Sequence, residues 1–265
     1  MPRTVSVSRA LVTGAAQGIG LAVAERLVDD GLRDLVLLDL NADGLASVAR
    51  ALRQRAEGVT VREVATDLVD VEASRDALFA SLGEDRLDVL VNAAGITSRG
   101  GLHDITLDTF DRLMAINVRA PLFLSQALAP RIDAGGTIVN ITSMLAYGGP
   151  PFLLGYSASK AALVALTKGI ANTLKWQGVS AFGINLGWTL TPAEQEVQTH
   201  LHGMAPDWAE TLGRSQPFGR LLMPEDPAAL VSFLISHDAT MMTGAIVDLD
   251  QYVAGTVDDN PGNAP

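Results

Sequence analysis

The sequence contains no cysteine. That excludes disulfides, thiolate nucleophiles and cysteine-based zinc or iron–sulfur centres. Long apolar runs are missing too. No stretch reaches the roughly 18–20 uncharged residues that cross a bilayer, although mean hydropathy is +0.25. Met1 to Arg9 is short and polar, with no apolar signal core behind it, so the cytoplasm is the expected compartment. Basic residues are outnumbered, 19 Lys and Arg against 30 Asp and Glu, for a formal net charge of −11. They form no cluster, so the basic face that nucleic-acid binding needs is absent. The acidic balance serves solubility rather than a partner.

The 265 residues are 48% hydrophobic, which fits a sheet buried on both faces. Short apolar runs at Ala10–Thr13, Leu35–Leu38, Val59–Ala65, Val89–Val91, Thr137–Ile141 and Val179–Leu186 read as strands. Amphipathic segments near 18–30, 42–56, 71–82, 106–129, 155–176 and 226–236 read as helices. Strand–helix alternation implies βαβ units, a parallel sheet and helices on both faces. The expected fold class is α/β: one Rossmann-like three-layer sandwich over residues 1–265, with no repeat or linker. Thr189 to Gln216 breaks the rhythm. It is polar, follows a strand end and reads as a substrate lid. The tail from Gly255 to Pro265 reads as loose.

Between the first strand and first helix stands Thr13-Gly14-Ala15-Ala16-Gln17-Gly18-Ile19-Gly20. Gly14, Gly18 and Gly20 allow a tight turn and close backbone approach. The helix N-terminus at Gln17 to Gly20 then offers free N–H groups to a pyrophosphate. Asp39 ends the second strand. Its carboxylate suits the hydroxyls of an adenosine ribose and repels a 2′-phosphate. Neither Leu40-Asn41-Ala42-Asp43 nor Gln17 supplies a cation for such a phosphate, which favours NAD over NADP. Asp67-Leu68 and Asn92-Ala93-Ala94-Gly95 end the third and fourth strands and let a flat cofactor lie against the backbone.

Ser143 follows the fifth strand, and Tyr156-Ser157-Ala158-Ser159-Lys160 opens a long helix. The spacing of Tyr156 and Lys160 puts both on one helix face. An ammonium beside a phenol favours phenolate and lowers its pKa, which makes Tyr156 a candidate general base. Ser143 can hold the same substrate oxygen.

These elements, taken together, resemble the short-chain dehydrogenase/reductase family over nearly the whole chain. The likeness rests on Thr13-Gly14-x-x-x-Gly18-Ile19-Gly20, Asp39, Asp67, Asn92-Ala93-Ala94-Gly95, Asn117, Ser143 and Tyr156-x-x-x-Lys160. It implies a mostly parallel sheet of seven strands and a catalytic tetrad of Asn117, Ser143, Tyr156 and Lys160. In the family the Asn position holds a water that links the Lys to solvent. The resemblance also implies that Gly187, Thr189 and Thr191 line the nicotinamide and its phosphates. Two departures stand out: Phe182 and Leu186 replace the usual Asn and Pro after the sixth strand, and Asp250-Gln251-Tyr252 replaces Asp-Gly-Gly. The helices at 106–129 and 155–176 pair between subunits in this family, so a homodimer or homotetramer is expected.

Ser143, Leu145, Tyr156 and Trp188 are the expected substrate contacts, with Met144, Tyr147 and Phe152 beside them. Whether Glu194, Gln195, Gln198, His200, His202, Trp208 and Arg214 of the lid also reach substrate stays open. His200 and His202 lack a third ligand, so no metal is expected. Aromatic rings with amides and carboxylates suit a sugar or polyol. The leading expectation is NAD-dependent oxidation of a secondary or anomeric hydroxyl in such a substrate. Reduction of a 3-oxoacyl or ketosteroid-type carbonyl and a silent NAD-sensing or scaffold role remain alternatives.

Overall fold

The computed structural model describes residues 8–256. The expected loose tail lies outside the described residues from 257 onward, as do residues 1–7.

Strands β1 (Arg9–Thr13), β2 (Asp34–Asp39), β3 (Thr60–Ala65), β4 (Leu87–Asn92), β5 (Ile132–Ser143), β6 (Ser180–Leu186) and β7 (Ile246–Leu249) form one sheet in the order β3-β2-β1-β4-β5-β6-β7. Every pairing is parallel. The order reverses between β1 and β4, which opens the crevice where such sheets bind ligands.

Alternation along each strand feeds two cores. Ala10 and Val12 face one way, into a cluster with α1 (Gly18–Asp29), α2 (Ala42–Arg55) and α9 (Glu225–Leu234). Leu11 faces the other, with Leu78 and Leu82 of α3 (Val71–Leu82) and Ala120, Leu124 and Leu128 of α5 (Ala120–Leu128). Ala171 and Leu174 of α6 (Leu154–Leu174) complete that second face. Leu35 to Leu38 are fully buried, which explains why β2 reads as an unbroken apolar run. α2 buries Leu45, Val48, Ala49 and Leu52, one stripe at helical spacing. Asn41 caps it by accepting the Gly44 N–H at 2.9 Å.

Three features differ from the sequence expectation. β7 carries too few residues for a periodic signal, yet pairs with β6 from Gly183 to Leu186. The helix expected over 106–129 is interrupted. α4 (Leu107–Met114) passes into a π-helical turn at Ala115–Arg119 before α5 begins. One wide turn holds an extra residue and swings Asn117 inward, a break that apolar spacing does not reveal. The polar stretch at 189–216 is folded too, with α7 (Pro192–Glu196), a π-turn at Val197–Leu201 and α8 (Trp208–Arg214). Among the described residues no helix is long and apolar enough to cross a membrane.

Candidate active site

The Gly-rich loop leaves β1 and enters α1 along a path that only small residues permit. A side chain at Gly20 would stand 2.1 Å from the Gly14 carbonyl oxygen. Thr13 Oγ1 accepts from Ala93 N and Ala94 N, both at 3.1 Å, and so ties the loop to the end of β4. α2, α3 and α4 are capped by the side chains of Asn41, Asp70 and Thr106. The Gln17 side chain makes no such bond at α1. The first-turn N–H groups of α1 thus lack a side-chain cap beside a cradle with no Cβ to fill it. This is the geometry a dinucleotide pyrophosphate fits.

Asp39 sits at the rim of that cradle. Its two oxygens accept from Ala16 N at 3.0 Å and Asn41 N at 2.9 Å. The carboxylate therefore shapes the loop and begins the α2 turn, and each oxygen keeps a lone pair for a further donor. Asp67 accepts from Val69 N at 2.9 Å, and Leu68 is buried beneath it in the second core. Asn92 donates to Asn140 at 2.8 Å, and Asn140 donates to Thr167 at 2.9 Å, a buried polar chain across β4, β5 and α6.

Ser143 ends β5 and Tyr156 lies in the first turn of α6. The Ser143 Oγ accepts from Leu145 N at 3.2 Å. Burial pushes the Tyr156 phenol above its ordinary pKa; hydrogen bonds from Ser143 and Thr97 pull it down, and the Glu194 charge pushes it further up. Burial is the largest of these influences. Lys160 Nζ lies 5.7 Å from the centre of the Tyr156 ring and donates to the Ile141 carbonyl at 2.9 Å. Burial, not charge pairing, sets its own state and pushes its pKa down to about 8.

Asn117 is fully buried in the π-turn. Its Oδ1 accepts from Ile96 N at 2.9 Å, and its Nδ2 donates to Ile96 O at 2.9 Å and Ser159 Oγ at 3.0 Å. The amide clamps the segment after β4 onto α6. A side chain at Gly95 would come within 3.3 Å of Asn117 Oδ1 and 3.4 Å of Lys160 Nζ, so the three meet at one point.

Thr97 went unnoticed in the sequence. It stands two residues past Gly95, and nothing in a lone Thr marks it until α6 folds beneath it. Of the expected substrate contacts, Leu145 is half-buried and Trp188 is exposed at the end of β6. Tyr147 donates to Asp248 at 3.1 Å, and Asn185 donates to the same carboxylate at 2.8 Å. Phe152 lies under the Arg99 guanidinium at 4.8 Å.

Thr189 bridges to Leu222 and donates to Gly187 O at 3.1 Å. Thr191 caps α7 and packs beside Gly18 of the Gly-rich loop. Trp188 donates to Glu194 at 2.8 Å, as does Gln198. Arg214 pairs with Glu210 on the exposed face of α8, and His200 Nδ1 lies 3.4 Å from Thr199 Oγ1. Among the described residues no group of three or more His, Cys, Asp or Glu could hold a metal.

Both departures from the family pattern have a place. Phe182 and Leu186 are buried in the sheet core, where their apolar bulk packs. Gln251 accepts from Phe218 N at 2.7 Å and donates to Arg220 O at 2.6 Å, so it fastens the exit of β7 to the segment that follows α8.

The family model described as enoyl-(acyl carrier protein) reductase matches residues 14–251. The chain is 33% identical over 246 residues to D-threitol dehydrogenase of Mycolicibacterium smegmatis, covering 91% of this chain and 90% of the relative. It is 34% identical over 245 residues to cis-4-hydroxycyclohexanecarboxylate dehydrogenase of Sinomonas cyclohexanicum, covering 91% and 94%. Among solved structures it is similar to L-sorbose reductase from Gluconobacter frateurii, complexed with NADPH and L-sorbose. That match has a TM-score of 0.89 and 29% identity over 97% of this chain and 100% of the other.

Proposed function

The chain belongs to the short-chain dehydrogenase/reductase family of oxidoreductases, and within it we propose that this enzyme oxidises a secondary or anomeric hydroxyl of a polyol or sugar-like substrate with NAD. One observation carries the reading. Lys160, buried and bonded to the Ile141 carbonyl two residues before Ser143, holds its ammonium 5.7 Å from the centre of the Tyr156 ring, and Ser143 and Thr97 favour the ionised phenol.

In this mechanism Ser143 holds the substrate oxygen and Tyr156 takes its proton. Lys160 and the first turn of α1 hold the cofactor, which when bound supplies the hydride acceptor. The buried Lys160 charge favours phenolate once a substrate excludes the remaining water. Gly14, Gln17, Gly18, Ile19 and Gly20 cradle the pyrophosphate, and Asp39 accepts the ribose hydroxyls. Asp67, Leu68, Asn92, Ala93 and Gly95 line one side, and Gly187, Thr189 and Thr191 the other. Asn117 holds the Gly95–Ile96 backbone against Lys160, at the end of a proton path to solvent. Leu145 and Trp188 flank the substrate.

Support for NAD comes from Asp39 and from the absence of Lys or Arg beside it. L-sorbose reductase binds NADPH, so the cofactor needs a direct test. Support for a hydroxyl-rich substrate comes from the D-threitol and L-sorbose enzymes.

A second reading reverses the direction. A Tyr156 pKa raised by burial favours the protonated phenol, which suits an acid in ketone reduction. Rates in both directions with NAD(H) and NADP(H), over a panel of polyols, aldoses and ketoses, separate the two. Turnover of no member of the panel would sink both.

We also infer that copies of the chain associate as a homodimer or homotetramer. Leu107, Phe110, Phe123 and Leu154 are exposed along α4, α5 and α6, and a groove of about 860 Å³ lies between α3 and α5. Apolar side chains of this kind are buried when like faces meet.

A further inference from the structure

Glu194 lies where the lid meets the reacting centre. Its Oε1 accepts from Trp188 Nε1 and Gln198 Nε2, both at 2.8 Å. The Trp188 ring rests 5.6 Å from that of Trp208, which is buried. A buried indole thus fixes an exposed one, and the exposed one fixes the carboxylate. Two donors on one oxygen set its orientation. Among the described residues Oε2 has no hydrogen-bond partner. The helix that carries it, α7, begins beside the Gly-rich loop. Thr191, at its start, packs beside Gly18 of the Gly-rich loop. Leu186, two residues before Trp188, is paired in register with Ser143, which sets the Glu194 carboxylate at the same sheet edge as the reacting centre.

We propose that Glu194 determines substrate specificity, its free oxygen accepting a hydroxyl neighbouring the reacting carbon of an uncharged polyol and its charge excluding substrates that carry a carboxylate there. This rests on the alcohol-oxidising reading above. A fixed acceptor beside the reacting carbon rewards a substrate with vicinal hydroxyls, because an analogue that lacks the hydroxyl leaves the acceptor unpaired. Like charges about 5 Å apart at a half-buried site repel enough to alter binding by tenfold or more. The cation of Arg99, on the segment after β4, is exposed over Phe152. Solvent and salt screen it, and it is not among the groups that perturb Tyr156.

The test compares kcat/KM for tetritols, pentitols and hexitols with that for the aldonates of the same carbon skeletons. Wild type, Glu194→Gln and Glu194→Asp are assayed with NAD. Wild type is expected to prefer the polyol by at least about tenfold. Glu194→Gln is expected to cut that preference by a similar factor, through a lower KM for the acid and a higher KM for the polyol. Glu194→Asp should keep most of the preference. If Glu194→Gln does not fold, Trp188→Phe removes one of the two donors and is expected to shift the preference the same way by a smaller factor. Calorimetric dissociation constants of xylitol and xylonate for Tyr156→Phe protein, with and without Glu194→Gln, read the same discrimination without turnover. An unchanged ratio in both measurements overturns the role of Glu194. A wild type that turns over no alcohol overturns the catalytic reading, and the calorimetric ratio then judges Glu194 by itself.

Discussion

Lys160 holds its ammonium 5.7 Å from the centre of the Tyr156 ring while hydrogen-bonded to a backbone carbonyl of β5. Among the described residues no carboxylate pairs with it, and burial pushes its pKa from 10.5 down to about 8. A cationic group whose folded pKa is lowered binds fewer protons when folded than when unfolded, between about pH 8 and 10.5. Below that window the full cost of burying the charge is present. It fades as pH rises through it. Lys160→Met should therefore be inactive yet more stable at pH 7. The charge term is about 3 kcal/mol, less about 1 kcal/mol for the lost hydrogen bond. Thermal melts of both proteins from pH 7 to 10 check this, and the gap should narrow as pH rises. A variant less stable than wild type at pH 7 would contradict the argument.

Tyr156→Phe keeps the ring and removes the proton acceptor. Turnover is expected to fall by roughly 10²–10⁴. NADH binding, followed by fluorescence, should stay close to wild type. Near-normal turnover with intact binding would end the role of Tyr156 as base.

The pH dependence of alcohol oxidation should rise towards alkaline pH, because burial raises the Tyr156 pKa. Lys160 lies 5.7 Å from the centre of the Tyr156 ring, Ser143 and Thr97 lower the phenol's pKa, and the Glu194 charge raises it. Removing the Glu194 charge with Glu194→Gln should move the rise to lower pH. Removing the Thr97 hydroxyl with Thr97→Val should move it to higher pH. Rate profiles of kcat/KM from pH 6 to 10 distinguish the two directions, and opposite signs are the required result.

Asp39→Asn keeps oxygen for one backbone N–H and loses the charge. The ratio of kcat/KM for NADP to that for NAD is expected to rise at least about tenfold, since a 2′-phosphate no longer meets a carboxylate. A ratio that stays fixed would reduce Asp39 to its structural bonds with Ala16 and Asn41.

Strand runs such as Leu35–Leu38 were legible because a strand covered on both faces needs apolar residues throughout. The Gly-rich turn and the Tyr156–Lys160 spacing were legible because each is local. Asn117 was recognisable only through family likeness, since its partners, Ile96 and Ser159, are 21 and 42 residues away. Thr97 carried no signal for the same reason. The burial that acts on Tyr156 was not legible, because spacing on a helix gives proximity but not burial. The seventh strand escaped the periodic reading because four residues are too few to repeat a pattern.

The π-turn at Ala115–Arg119 puts α4 and α5 out of phase with each other by one residue. To an engineer seeking a sturdier scaffold, that turn looks like a defect, and deleting a single residue such as Val118 would restore an unbroken helix. The repair would turn Asn117 by about a quarter of a revolution away from Ile96. The irregular turn is therefore a position that stability-guided redesign of this scaffold should leave untouched.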